Sequence, residues 1–261
     1  MGLFDGAKSA ISGNRAYRAH VDGNKLSSEG KPREAGEKYR AALRLYGEAA
    51  SGAKLPVNYD LAYAMLLMRE GEFEKGKERM LALSRDKSLS QENWFQLRIQ
   101  YALYQWKVGE IDKAMETMGR AAAFRMNGNI YSTMGMFWVD KARETGDFEA
   151  ALKYNMEALE YDDEDGATLD NLGQLYELMA EAEGDGAKAA EYSDKSLDYY
   201  KKAHAAKPRQ ITTLFFLARM LHRRGEDDKA RKVLSIRDTL YYSAMCPVTK
   251  DMIERLAKEI G

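Results

Sequence analysis

Residues 145–151 read Thr145-Gly146-Asp147-Phe148-Glu149-Ala150-Ala151: one helix stops at a glycine and the next restarts into a small residue. The same pattern returns in Glu29-Gly30-Lys31-Pro32-Arg33-Glu34-Ala35 and Arg69-Glu70-Gly71-Glu72-Phe73-Glu74-Lys75-Gly76. It returns again in Val108-Gly109-Glu110-Ile111-Asp112-Lys113-Ala114 and Arg223-Arg224-Gly225-Glu226-Asp227-Asp228-Lys229-Ala230. The glycines recur at about forty residues, with a double interval between Gly146 and Gly225. Self-similarity at that period marks an array of helical hairpins whose neighbours bury one another's apolar faces. A single elongated solenoid is therefore expected, rather than two globular cores, and its surface is that of a binding scaffold.

Composition narrows the function classes. Across 261 residues, 40 Lys and Arg face 41 Asp and Glu, so no global charge draws the chain to nucleic acid or an anionic membrane. The lone Cys246 excludes an internal disulfide framework and fits a reducing compartment, so the cytoplasm is the expected location. No stretch approaches the roughly 18 apolar residues of a membrane span, and the first fifteen residues lack the basic-then-apolar pattern of a secretion signal. All four prolines, Pro32, Pro56, Pro208 and Pro247, fall at predicted helix junctions, as their missing N–H requires. The runs from Leu61 to Met68 and from Leu214 to Leu221 have helical spacing, and an all-α chain follows.

Aligned on the inter-helix glycine, the units are 16–49, 57–90, 95–128, 132–165, 166–210 and 211–244. The fifth contains Leu172-Gly173-Gln174-Leu175-Tyr176 and, later, Tyr199-Tyr200-Lys201-Lys202-Ala203 before Pro208. The fourth contains Gly146 to Ala151, then Tyr154 and Ala158. These residues resemble the tetratricopeptide repeat, a unit of about 34 residues with an L-G-x-x-Y core, then A-x-x-x-aromatic, then Pro. The resemblance covers most of the chain. It implies a right-handed superhelical solenoid of about six antiparallel hairpins, here with an N-terminal segment at 1–15, either a docked helix or partly disordered, and a capping helix within 245–261.

Small residues are expected where the two helices of a hairpin cross. First helices offer Gly23, Ala64, Ala102, Gly173 and Ala218, and second helices offer Ala35, Gly76, Ala114, Ala151 and Ala230. Val139 departs from this rule, which predicts a splayed or shifted fourth hairpin. Between Leu172 and Tyr200 lie about 11 residues beyond the family spacing, close to three helical turns, so both helices of the fifth hairpin are expected to lengthen, with a turn over Glu181 to Ala189. The spacers 50–56, 91–94 and 129–131 read as longer helix ends or loops. Near the C-terminus, Val248, Met252, Ile253, Leu256 and Ile260 share one side of an amphipathic helix, as a terminal cap requires.

In tetratricopeptide families ligands lie in the concave groove lined by first helices. Carried onto this sequence, the groove positions are Tyr17, His20 and Asn24; Leu61, Met65, Met68 and Arg69; and Ile99, Leu103, Trp106 and Lys107. They continue with Met136, Asp140 and Arg143; Asp170, Gln174 and Glu177; and Phe215, Arg219, His222 and Arg223. The middle is apolar and methionine-rich, and the far end is mixed in charge, which suits a peptide or amphipathic helix. Trp94 and Trp138 read as packing residues. The subset of the family that grips a C-terminal carboxylate is not implied: Asn24 matches one of its positions, but Ala62, Gln96 and Gln100 stand at the others.

No catalytic constellation, cofactor motif or metal-ligand spacing is present. The acidic run Tyr161 to Gly166 places Tyr161 and Leu172 where a calcium loop needs carboxylates, and instead favours a helix N-terminus. His20, His204 and His222 lie in different units and read as surface histidines, not zinc ligands. Cys246-Pro247 reads as a turn, and Leu221 to Arg224 as a basic helix end. The expected protein is a non-enzymatic, cytoplasmic bacterial scaffold for a protein or peptide partner, with no cofactor, metal, nucleic acid or integral membrane association. Two other readings of the residues are self-association through an unsaturated face or the long fifth hairpin, and a peripheral membrane adaptor anchored by the stripe Leu3, Phe4, Ala7, Ala10 and Ile11.

Overall fold

The structure is a computed structural model that describes residues 3–52 and 54–261, with side chains from Ile11 onward. Its helix ends are set by the glycines. Gly30, Gly71, Gly146 and Gly225 have φ of 80°, 87°, 76° and 74°, the left-handed region that is strained for residues with a Cβ. The chain reverses there by feeding amides back into the helix just ended. Lys31 N donates to Leu26 O at 2.9 Å, Glu72 N to Leu67 O at 2.8 Å and Glu226 N to Leu221 O at 2.9 Å. This pairing satisfies carbonyls that a helix terminus otherwise leaves open.

Among the described residues there are thirteen α-helices, one short 3-10 turn and no strand. The first six are α1 (Leu3–Ser28), α2 (Pro32–Gly52), α3 (Val57–Arg69), α4 (Phe73–Ser84), α5 (Gln91–Lys107) and α6 (Ile111–Phe124). Then come α7 (Gly128–Thr145), α8 (Phe148–Tyr161), α9 (Gly166–Glu183), α10 (Ala187–Ala206), α11 (Ile211–Arg223), α12 (Asp227–Leu234) and α13 (Lys250–Ile260). Pro32 opens α2, Pro56 is the N-cap of α3, and Pro208 and Pro247 lie in the connections before α11 and α13.

Several boundaries differ from the sequence alignment. Residues 3–15 are the first half of one 26-residue helix, not a separate segment; Asn14 on it donates to Tyr59 Oη at 3.0 Å. Of the proposed membrane stripe, Leu3, Phe4, Ala7 and Ala10 have side chains outside the described residues, and Ile11 is exposed. Helices α5 and α7 start before residues 95 and 132 and absorb the spacers at 91–94 and 129–131. The turn of the fifth hairpin is only 184–186, because α9 and α10 run further toward each other than the glycines implied. In the sixth unit α12 ends at Leu234, well short of residue 244, and residues 240–249 are non-helical.

By their contacts the residues form two compact units, one comprising the chain up to Lys107 together with Asp238–Met245, the other Val108–Arg237 with Cys246–Gly261. In the first, one core gathers Ala16, Ala35, Tyr39, Ala42, Tyr46, Leu55 and Leu66, and another gathers Leu61, Ala64, Met68, Met80, Leu83, Leu97 and Tyr104. In the second, Val139, Ala142, Ala151 and Leu175 form a core flanked by Trp138, Phe148, Leu152, Leu178 and Met179. Burying one such large side chain is worth about 2 kcal/mol, against tenths for most helix-propensity differences. Packing therefore holds the hairpins together.

That packing follows a rule of paired volumes. A Cβ on Gly23 would lie 2.7 Å from the Tyr39 ring, and one on Gly173 would lie 2.6 Å from Tyr200. Gly23 and Tyr39 are 16 residues apart, and Gly173 and Tyr200 are 27 apart, which is 16 plus the 11 inserted. In the second hairpin the same offset joins Ala64 to Met80, in the sixth Ala218 to Leu234, and in the fourth Val139 to Asn155. All of these residues are buried. Where the first member grows, the second shrinks. In the fourth hairpin Asn155 lies against Gly135, where an added Cβ would overlap its Oδ1, and its amide donates to Gly135 O at 3.2 Å and Ala151 O at 2.9 Å.

Candidate partner-binding surfaces

In the first unit the groove positions converge on Tyr39. Asn24 Oδ1, on α1, accepts from Tyr39 Oη at 2.9 Å and from Arg69 Nη1, at the end of α3, at 2.8 Å. Arg69 Nη2 donates to Tyr39 Oη at 3.0 Å, and its guanidinium stands 4.8 Å from the Tyr39 ring centroid. Such an arrangement is stiff, because the planar guanidinium uses its fork and its face together.

His20 sits beneath this cluster, edge-on to Tyr39 and Tyr46. It is only 8% exposed, so the reading of it as a surface histidine is corrected. Burial, aided by the Arg69 charge, pulls its pKa down to about 4. The unfolded chain takes up a proton near pH 6.5 and the folded chain only near pH 4, so stability falls as pH drops through that window. His20 is expected to make the protein about 2 kcal/mol less stable at pH 5 than at pH 7. Urea unfolding of His20→Gln at both pH values checks this: the variant should lose that share of the difference, and an unchanged pH dependence would refute the assignment.

Other groove positions also lie inside. Leu61, Met68, Ile99 and Phe215 are each under a tenth exposed, so they pack the core, and a partner does not reach them. Met65 and Leu103 are half-buried against the second core of the first unit, as is Trp94. Tyr17 is exposed with its ring 5.8 Å from that of Tyr59, and Trp106 is half-buried.

The second unit carries a charged lattice on α9 and α11. Glu177, 4% exposed, accepts from Tyr200 Oη at 2.9 Å, Arg219 Nη2 at 2.7 Å and Arg223 Nη1 at 2.9 Å. Asp170, also buried, accepts from Thr213 Oγ1 at 2.7 Å and from Gln174 Nε2 at 3.1 Å. Burial raises the Asp170 carboxyl above its ordinary value, against the opposing hydrogen bonds of Thr213, Thr212 and Gln174. Arg143 bonds Asp140 and reaches Gln174 Oε1 at 3.4 Å, and Met136 is half-buried. An open pocket of about 470 Å³ adjoins this lattice, lined by Glu177, Glu181, Ala189, Met220, Arg223 and Arg224 among others.

Helix α13 seats beside the same lattice. A second pocket, about 390 Å³, has Phe215, Arg219, His222 and Arg223 on one wall and Met252, Arg255, Leu256 and Glu259 of α13 on the other. Ile253, Leu256 and Ile260 of α13 are buried, as is Val248 just before it. His222 Nδ1 lies 2.7 Å from Asp227 Oδ1. The acidic turn ends in a cap: Asp165 accepts from Thr168 N at 3.0 Å and pairs with Lys207 Nζ at 2.6 Å. No group of three or more His, Cys, Asp or Glu among the described residues is placed to hold a metal ion. No described helix is long and apolar enough to cross a membrane.

No protein-family model and no curated protein matches the sequence. Solved structures do match. TTC0263, a thermophilic TPR protein of Thermus thermophilus, superposes with a TM-score of 0.51 over 64% of this chain and 80% of its own, at 17% identity. This chain has the tetratricopeptide-repeat fold. The same hairpins appear in the APC/C hetero-tetramer Cut9–Hcn1, with a TM-score of 0.57 over 95% of this chain at 16% identity, and in a monomeric mutant of IFIT1 with Gppp-AAAA, with a TM-score of 0.56 over 82% at 17% identity. The chain spans about half of each of those two, 46% and 49%.

Within the tetratricopeptide frame, first-helix positions leave out three residues of the first unit's polar cluster: buried Tyr39 and half-buried Glu70 and Tyr241. Tyr39 was detectable from its 16-residue offset to Gly23. Glu70 and Tyr241 are 171 residues apart and have no common periodicity.

Proposed function

We propose that the protein is an interaction scaffold that binds a peptide or helix of a partner protein, with the first unit's groove as the apolar anchor. The observation that carries this reading is the half-exposure of Met65 and Leu103 on a face whose neighbours Leu61, Ala64, Met68 and Leu97 are buried. A row of packed side chains beneath an adaptable, methionine-bearing surface gives a preorganised site with apolar area left to bury. The Asn24–Tyr39–Arg69 cluster at the side of this face supplies fixed polar groups that orient a ligand. In the second unit, Arg143, Gln174, Arg219 and Arg223 supply orientation by charge.

Capture of partners from cell lysate by the intact chain, compared with Met65→Asp and Trp106→Ala, tests the assignment. The variants are expected to retain helical circular dichroism and to lose about tenfold or more in affinity, as truncation of an interface anchor does. Equal capture by folded variants would show the groove assignment to be wrong.

A further inference from the structure

The first unit contains a piece of chain that does not belong to its hairpins. Residues 238–245 join it from far along the sequence, while the residues on both sides, up to Arg237 and from Cys246, belong to the second unit. Tyr241 lays its ring against Tyr39, with centroids 4.8 Å apart, and its hydroxyl donates to the Glu70 carboxylate. Ala244 N donates to Arg69 O at 2.8 Å, and Ser243 Oγ to the same carbonyl at 3.3 Å. Met245 packs on the core that also holds Met65, Leu103 and Met68. The segment thus lies on the polar cluster, and it shares the buried core beneath the apolar patch, assigned above to a partner.

Its chemistry describes the ligand that this face takes. The aromatic hydroxyl meets Glu70, a methionine meets the apolar core, and between them the Ala244 amide holds the Arg69 carbonyl. The segment is non-helical and half-buried from Tyr241 to Cys246, so leaving the face breaks no regular structure. Burial, then the Glu70 hydrogen bond, raises the Tyr241 hydroxyl well above its ordinary pKa, so it remains a donor at physiological pH.

We infer that residues 240–245 are a built-in occupant of the first unit's binding face, and that the partner for this face is a non-helical protein segment of matching chemistry, a tyrosine followed by a methionine, which displaces them. This rests on the reading of that face as a partner site. A tethered occupant competes at high effective concentration, so the intact chain binds such a partner more weakly than the bare face would.

The test uses the full-length chain and a fluorescent peptide with the sequence of residues 238–245. In the double variant Tyr241→Ala, Met245→Ser the peptide is expected to bind at least about tenfold tighter than to the intact chain, and a peptide with Ala in place of its tyrosine should not bind. Equal binding to both chains, or none to a folded variant, overturns the inference. Should the variant unfold, hydrogen exchange on the intact chain decides: excess peptide is expected to speed exchange at the Ala244 amide, and unchanged exchange overturns the inference. A concentration-dependent dimer that abolishes peptide binding would assign the face to a second copy of the chain, and so also overturn it. If lysate capture is lost in Met65→Asp but unaffected by the double variant, the groove assignment stands and only the displaceable occupant fails.

Discussion

Replacing Tyr200 by Asn is expected to destabilise the second unit by about 4 kcal/mol. The ring is fully buried, lies on Gly173 and stacks 5.8 Å from Phe216, so its loss opens a cavity that the surrounding helices cannot close. Gly173→Val alone should cost about 3 kcal/mol, since its Cβ would sit 2.6 Å from the Tyr200 ring. In the double variant the valine occupies part of the space that the tyrosine leaves. The double variant is therefore expected to fall short of the summed loss by at least about 1 kcal/mol. Urea midpoints at constant m-value measure each step. Strict additivity would show that the two positions do not exchange volume.

Glu177→Ala is expected to cost about 3 kcal/mol or more, because one carboxylate serves three donors at a buried position. The Tyr200 hydroxyl would be left buried without that acceptor, and Arg219, 29% exposed along its side chain, would keep only part of its hydration. Arg223 is 49% exposed and also pairs with Glu181, so Arg223→Ala should cost only about 0.5 kcal/mol. Comparing the unfolding free energies of these two variants separates a buried hub from a solvated ion pair. Similar losses for both would contradict the asymmetry.

Turn residues and helical spacing were legible because they act locally. A glycine at positive φ ends a helix wherever it stands, and proline excludes itself from helix interiors wherever it stands, so Gly30, Gly71, Gly146 and Gly225 carried the hairpin pattern without help from the rest of the chain. Helix lengths were less legible. Leu3 to Ser28 reads as a weak stripe followed by a repeat, yet packing of Gly13 and Asn14 against Tyr59 joins them into one helix. The end of α12 at Leu234 was equally hidden, since residues 240–245 find their partners on Arg69 and Glu70 rather than in their own hairpin.

The candidate site divides the same way. That Met65, Leu103 and Arg69 lie on first-helix faces follows from spacing alone, because a helix places every third or fourth residue on one side. Which of those residues reach solvent does not follow, because exposure depends on the neighbouring hairpin: His20, Leu61, Met68, Ile99 and Phe215 share the pattern and are buried. The sequence by itself determined an all-α chain of tetratricopeptide hairpins, with its turns and one long fifth hairpin. Only the tertiary structure decided which groove side chains remain accessible, and that residues 240–245 lie against the first unit, because contacts between residues more than 170 positions apart leave no period to read.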